Sequence, residues 1–371
     1  MTTVMKASGS TEFLGLVPAL AGFTPRRSIV LVPFEGKRAY GALRMDLPDD
    51  PVEFAEPAVA LTRRVPGTEA VAIVVYCEET ALATRDGLVL PHAVLVDEVL
   101  ASAEEARLGI VDALCVTPEG WSSYLDDDPA LNPLDAIATR PLPPGIALEA
   151  DQSAGADLPV VSLLASERVG RALIDLDQVL CRIRLDRPVP AGRENPQALA
   201  AAALLDDVTG MFEEALDLPE DAPPFLVAAL LWLLDQPVYR DVALVQWATD
   251  QDGGERALDA QLEYRSSRVM PDGSARMLVG EGPRPDAARL HAALRAVRRL
   301  AALAPRAKRV GPLAVAAWLS WALGRTSHAE KHLEQVRGIA PDYSFGRLLG
   351  ELLLARPLPE WAFHRRAADA A

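Results

Sequence analysis

His328 and His332 stand four residues apart in a segment of helical spacing, which puts both imidazoles on one side of a helix, where a pair can grip a metal ion. The sequence between them is HAEKH. Glu330 therefore lies about 200 degrees around the helix from the first histidine, where it cannot act as base to a metal on the histidine face. No third ligand accompanies the pair. Ala329 and Leu333 are the positions that should pack, so both histidines are expected to face solvent.

Other partial motifs fail at their demanding positions. Asp126, Asp128 and Asn132 imitate the opening of a calcium loop, but Leu131 occupies its turn-glycine position and Ile137 its bidentate glutamate position. Gly280-Glu281-Gly282 imitates a dinucleotide-binding turn, yet Pro285 stands at the third glycine and no ribose-binding acid follows on a parallel strand. The chain contains neither the G-x-x-x-x-G-K-[ST] phosphate cradle nor the G-x-S-x-G nucleophile turn. Cys77, Cys115 and Cys181 are odd in number and widely spaced, which suggests neither a disulfide framework nor a zinc knuckle. His92, His291 and His364 are isolated in sequence. No metal and no cofactor are expected from these residues.

Charge narrows the partners. The 371 residues carry a formal charge of −15, which argues against a general affinity for nucleic acid or anionic membranes. One stretch runs the other way. Residues 284–309 hold eight basic side chains against one acid, Asp286, and leave the remainder of the chain at −22. This stretch can lie against acidic helices such as residues 213–221 of the same chain, or it can offer Arg295, Arg298, Arg299 and Arg306 to an anionic protein partner. The longest apolar run, residues 225–234, falls well short of the roughly 20 residues a spanning helix needs, so no membrane segment is expected. Glu12 interrupts the approach to the apolar residues 13–22, so no cleaved leader is expected, and the three unpaired cysteines suit a reducing cytoplasm.

The elements that would position any site follow from periodicity. Residues 14–22 have helical spacing and end at Gly22, a residue type that tolerates a left-handed cap. Residues 28–34 and 38–47, joined by Glu35-Gly36-Lys37, predict a β-hairpin. Residues 51–65 and 93–108 predict helices, 69–76 and 110–116 buried strands, and 121–125 a returning strand. Strands joined through helices are usually parallel and those joined by short turns antiparallel, so the sheet should be mixed. Residues 131–159 have too few large apolar side chains for a core element and predict a linker or long loop. Beyond it helices are expected at 161–174, 196–216, 223–234, 239–249, 285–303, 312–323, 327–339 and 344–354, with 255–281 ambiguous and a short strand possible at 275–280. Gly324, Ala329, Leu333, Val336 and Pro341 have the spacing of one tetratricopeptide-like helix pair, although no second copy follows at that period.

The fold expected is thus α/β, a mixed β-sheet flanked by helices over residues 1–130, with an all-α helical domain over residues 160–371 that ends in a tetratricopeptide-like helix pair. Ligands of sheets with parallel strands sit beyond the strand carboxyl ends, which nominates Glu78, Glu79, Thr80, Thr117 and Glu119 as a candidate ligand site.

Val17-Pro18, Leu20, Gly22-Phe23, Pro25 and Ser28, followed by Arg44, Asp46, Leu47 and Pro48, resemble the signature of an uncharacterised actinobacterial family, the domain of unknown function numbered 4192. The resemblance continues through Gly120-Trp121-Ser122-Ser123-Tyr124, Tyr239-Arg240-Asp241 and the helices of residues 312–361. Asp126-Asp127-Asp128-Pro129 replaces a Cys- and Gly-containing stretch that relatives often carry. The resemblance supports the fold and implies no catalytic residue.

Two functions remain open. The leading expectation is a cytoplasmic, non-enzymatic adaptor whose helical domain binds a protein or peptide. The alternative is an enzyme or small-molecule sensor with a site at the strand ends or between domains.

Overall fold

The Ile- and Val-rich run after Pro25 forms strand β1 (Ser28–Glu35), which turns at Gly36 and returns as β2 (Arg38–Ala39) and β3 (Leu43–Asp46). The computed structural model describes residues 9–39, 41–85, 87–138, 150–185, 195–268 and 276–364. Both short strands pair antiparallel with β1, but the register advances by one residue between them: Phe34 opposes Ala39, whereas Leu31 opposes Leu43. The single long returning strand expected from alternation is therefore split by one extra residue, as in a β-bulge.

β1 also pairs antiparallel with β4 (Ala70–Tyr76), which pairs parallel with β7 (Gly109–Val116), and β8 (Trp121–Ser123) closes the order β2-β1-β4-β7-β8 as an antiparallel edge. The mixed sheet expected from the connections is present. Side chains alternate across it. Ile29, Leu31, Ile73 and Val75 pack beneath α2 (Pro51–Arg63) and α3 (Ala93–Glu105). Val30, Val32 and Val74 pack on the other face with Phe13, Leu14 and Val17 of α1 (Ser10–Ala21). Cover on both faces explains why β1 and β4 read as unbroken apolar runs. Gly22 closes α1 at φ 85°, its N–H donating to the Pro18 carbonyl at 2.8 Å, and Asp50 caps α2 by accepting from the Val52 and Glu53 amides.

The polar members of the hairpin signature serve this scaffold. The Ser28 hydroxyl donates to the Arg26 carbonyl at 2.5 Å and accepts from Arg44 Nε at 2.6 Å, while Arg44 also reaches Asp46. Between β4 and α3 lies an exposed hairpin that periodicity did not predict, β5 (Leu82–Thr84) with β6 (Gly87–Val89). After β8, Asn132 exchanges two backbone hydrogen bonds with Trp121 at 2.8 and 2.9 Å. Farther on, the Gln152 amide holds the Arg26 backbone. Residues 1–155 together with 363–371 form one compact unit, and residues 156–362 form the other.

The second unit is helical: α4 (Leu163–Arg184), α5 (Pro196–Leu204), α6 (Val208–Glu214), α7 (Pro224–Asp235), α8 (Pro237–Ala248), α9 (Gln251–Ser267), α10 (Ala287–Leu303), α11 (Val310–Ala322), α12 (Thr326–Ile339) and α13 (Ser344–Ala355). The helix expected over 196–216 breaks because Asp207 accepts from the Gly210 amide and starts α6 as a new cap. The short strand expected at 275–280 is not formed by its described residues: Met277–Val279 make a 3-10 turn closed by Gly280 at φ 85°. Gly280-Glu281-Gly282 is a structural corner. A Cβ on Gly280 would lie 2.5 Å from the Trp321 ring, and Glu281 bonds both Arg276 and Arg356. Every residue of α11 is buried, which explains its apolar character on all sides. No described helix is long and apolar enough to cross a membrane.

The histidine pair departs from expectation. His328 and His332 are buried, 4% and 0% exposed, rather than solvent-facing. α12 does bury Ala329, Leu333 and Val336, and the two histidines are buried beside them, with the charges of Arg298 and Asp157 near enough to act on His332. Burial, then the positive charges of Arg298, His328 and Lys331, holds the His332 imidazole down to about 4. Its ordinary value, and so its unfolded one, is near 6.5, so on acidification the unfolded chain takes up this proton first and stability falls between the two values. We expect His332 to remove about 2 kcal/mol between about pH 8 and about pH 5. Urea melts of the wild type and His332→Leu at both pH values check this: the stability difference should move by that amount in favour of the leucine variant. A difference independent of pH would refute it.

Candidate functional site

Because β4 and β7 run parallel, their carboxyl ends at Tyr76 and Val116 open on one side of the sheet. The ladder continues one residue beyond β4, the Cys77 amide donating to the Val116 carbonyl at 3.1 Å. Cys115 lies opposite Val75 in the register, so it shares a sheet face with Cys77 two residues on. The Cys77 thiol is within hydrogen-bond reach of the Val116 and Glu79 carbonyls, at 3.7 and 3.8 Å. The neighbouring Cys115, followed by burial, pushes the Cys77 thiol up, and Cys77 in turn draws Cys115 down against its own burial. Tyr124 stands beside them. Its phenol is pushed up by burial and by Cys115, and its hydroxyl donates to the Pro91 carbonyl at 2.6 Å.

That last bond holds the residue before His92. His92 caps α3 with a left-handed backbone, φ 56°, a conformation uncommon outside glycine. Its Nε2 lies 3.4 Å from Glu79 Oε2. The Glu79 carboxylate also accepts from the Glu78 amide at 3.1 Å, and backbone hydrogen bonding followed by His92 holds it below the usual carboxylate range. Cys77 Sγ, a Glu79 oxygen and a His92 ring nitrogen all lie within 4.8 Å of one another, and among the described residues this is the one such group of three His, Cys, Asp or Glu ligand atoms. Cys77 is buried, His92 half-buried and Glu79 exposed, so the cluster opens to solvent from a rigid floor.

Of the five residues nominated from the sequence, Glu79 stands in this cluster. Thr117 is instead buried in its own turn, its hydroxyl donating to the Gly120 carbonyl at 3.0 Å and accepting from the Glu119 and Gly120 amides. Glu78 faces Arg27 at 3.9 Å with both side chains exposed. Thr80 and Glu119 are exposed. Sequence reasoning missed Cys77, His92, Cys115 and Tyr124. The available signal was positional: Cys77-x-Glu79 directly follows a buried strand, and His92 directly precedes the crossover helix.

The arginines nominated as a partner surface are largely engaged within the helical unit. Arg298 donates to the Asp157 carbonyl, Arg306 to the Gly338 carbonyl at 3.0 Å, and Arg299 is half-buried; Arg295 is exposed. In the same stretch Arg289 grips Glu213 with two bonds of 2.6 and 2.9 Å, and Lys308 bonds Asp235 at 2.8 Å.

No curated protein and no solved structure matches the chain. Residues 11–262 match a family described as a domain of unknown function, DUF4192. The match takes in the hairpin signature, the thiol, carboxylate and imidazole of the strand-end cluster, and Arg240, and it ends before α10. On that match over most of its length, the chain belongs to the DUF4192 family.

Proposed function

We propose that this is a ligand-binding protein whose site is the rim formed by the carboxyl ends of β4 and β7. The observation that carries this reading is the convergence of Cys77, Glu79 and His92, drawn from two loops onto one strand end. Neither thiol of the rim is open to a substrate as a free nucleophile, Cys77 being 8% exposed and Cys115 wholly buried. A reducing, cytoplasmic setting accords with the free cysteines of the described chain. The adaptor reading has less support, because Arg298 and Arg306 are held by carbonyls of the helical unit itself.

The test is a thermal-shift panel of divalent cations, carboxylic acids and nucleotides on the wild type and on Glu79→Gln. A ligand at about a hundred times its Kd stabilises by roughly 3 kcal/mol, so at least one class should raise Tm by several degrees in the wild type and much less in the variant. If no class does so, or if Glu79→Gln and His92→Asn both show the same shift as the wild type, the reading falls.

A further inference from the structure

We infer that the ligand of this rim is a thiophilic divalent cation of the zinc class, held by Cys77 Sγ, a Glu79 carboxylate oxygen and a His92 ring nitrogen. The inference rests on the strand-end rim being a ligand site and names what the site takes. Two ligand atoms at about 2.0–2.3 Å from a tetrahedral ion stand roughly 3.5 Å apart. The three candidate atoms already lie within 4.8 Å of one another, with His92 Nε2 and Glu79 Oε2 at 3.4 Å, so small side-chain rotations suffice.

The donor set decides the metal. One sulfur, one imidazole nitrogen and one carboxylate oxygen suit zinc, cobalt or ferrous iron, whereas calcium and magnesium require shells made of oxygen. Three protein ligands leave a fourth position for water or a small molecule, the arrangement of zinc sites that act on or sense a ligand rather than staple a fold.

The surroundings are those of a prepared site. Glu79 is oriented by the Glu78 amide, and His92 is fixed as the cap that precedes α3 while Tyr124 anchors the preceding carbonyl. The left-handed backbone of His92 carries a local conformational cost, a pattern found where a side chain must be aimed. Cys115 lies on the same sheet face as Cys77, outside the three ligand atoms. When the cation binds, the Cys77 S–H bond breaks, its proton leaves to solvent and the sulfur lone pair forms the metal bond.

The experiment uses the full chain without an affinity tag. Zinc is titrated by calorimetry, and cobalt(II) is added as a spectroscopic substitute. We expect one equivalent of each to bind, cobalt producing a near-ultraviolet thiolate charge-transfer band. The band should vanish in Cys77→Ala and persist in Cys115→Ala and Cys181→Ala. Glu79→Gln and His92→Asn should weaken zinc at least roughly tenfold, asparagine being chosen because it tolerates the left-handed backbone. Circular dichroism of each variant separates loss of binding from loss of fold. The inference is overturned if no thiolate band forms, if the band follows Cys181, or if calcium or magnesium binds as tightly as zinc. Should zinc fail while another ligand class still depends on Glu79, the rim remains a ligand site and only the metal assignment falls. Should no ligand of any class depend on Glu79 or His92, both fall.

Discussion

Trp321→Ala is expected to cost about 4 kcal/mol, the range measured for emptying a buried tryptophan site. The Trp321 indole is fully buried between Trp318 and Trp361, with ring centroids 6.2 and 6.1 Å away, and its N–H donates to the Arg356 carbonyl at 3.0 Å. Its neighbours cannot collapse into the space, because each is tied to backbone. Trp318 Nε1 donates to the Leu278 carbonyl at 2.9 Å and Trp361 Nε1 to the Ala322 carbonyl at 3.0 Å. The truncation therefore leaves a cavity and an unsatisfied carbonyl together. Since a domain's whole stability is of order 5–15 kcal/mol, much of the helical unit's margin goes. Urea denaturation followed by far-ultraviolet circular dichroism should show a large fall in midpoint, with Trp321→Phe intermediate. A loss below about 1 kcal/mol would mean that the site repacks, contrary to these constraints.

Arg240→Ala should cost about 3 kcal/mol by stranding a charge. The arginine is 7% exposed, bonds Asp241 through Nε and an Nη at 2.9 and 2.7 Å, reaches the Tyr343 hydroxyl and stacks 3.7 Å above the Phe345 ring. It thereby pins α8 to α13. Burial already pushes the Asp241 carboxyl up by more than the guanidinium beside it pulls down, so desolvation outweighs attraction in this pair. The energetic harm thus lies in breaking the pair. We expect the double variant Arg240→Met with Asp241→Leu to be more stable than Arg240→Ala in the same denaturation experiment. If the double variant is the weaker of the two, the stranded-charge account is wrong.

The sheet was legible because β1 and β4 are long, β-branched and covered on both faces, so their composition declared them. The β5–β6 hairpin was not. Its strands have three residues each, and Leu82 and Val89 are exposed, so no periodicity accumulates. That loss hid the site, since the hairpin is what returns the chain to the strand ends with His92. Cys77 and Cys115 looked unrelated because only strand register makes them neighbours, and register is a long-range property that spacing does not record. The burial of His332 was missed for a similar reason. Periodicity reports the face that packs by hydrophobicity, whereas His328 and His332 are buried beside that face without adding to the apolar pattern. The basic stretch was legible in charge alone, and its pairing with Glu213 followed from the same imbalance that marked it.

The bridge between Trp121 and Asn132 has a consequence for association. β8 is a rim strand of only three residues, and a rim strand's unpaired amides and carbonyls can template growth by another chain. Here the first of them already exchanges both of its hydrogen bonds with the chain's own Asn132, and a side chain in place of Gly120 would strike that residue's carbonyl, at 2.5 Å from the added Cβ. The stretch after β8 thus acts as a guard against intermolecular strand addition along this rim, and Gly120 is the small residue that lets the guard close.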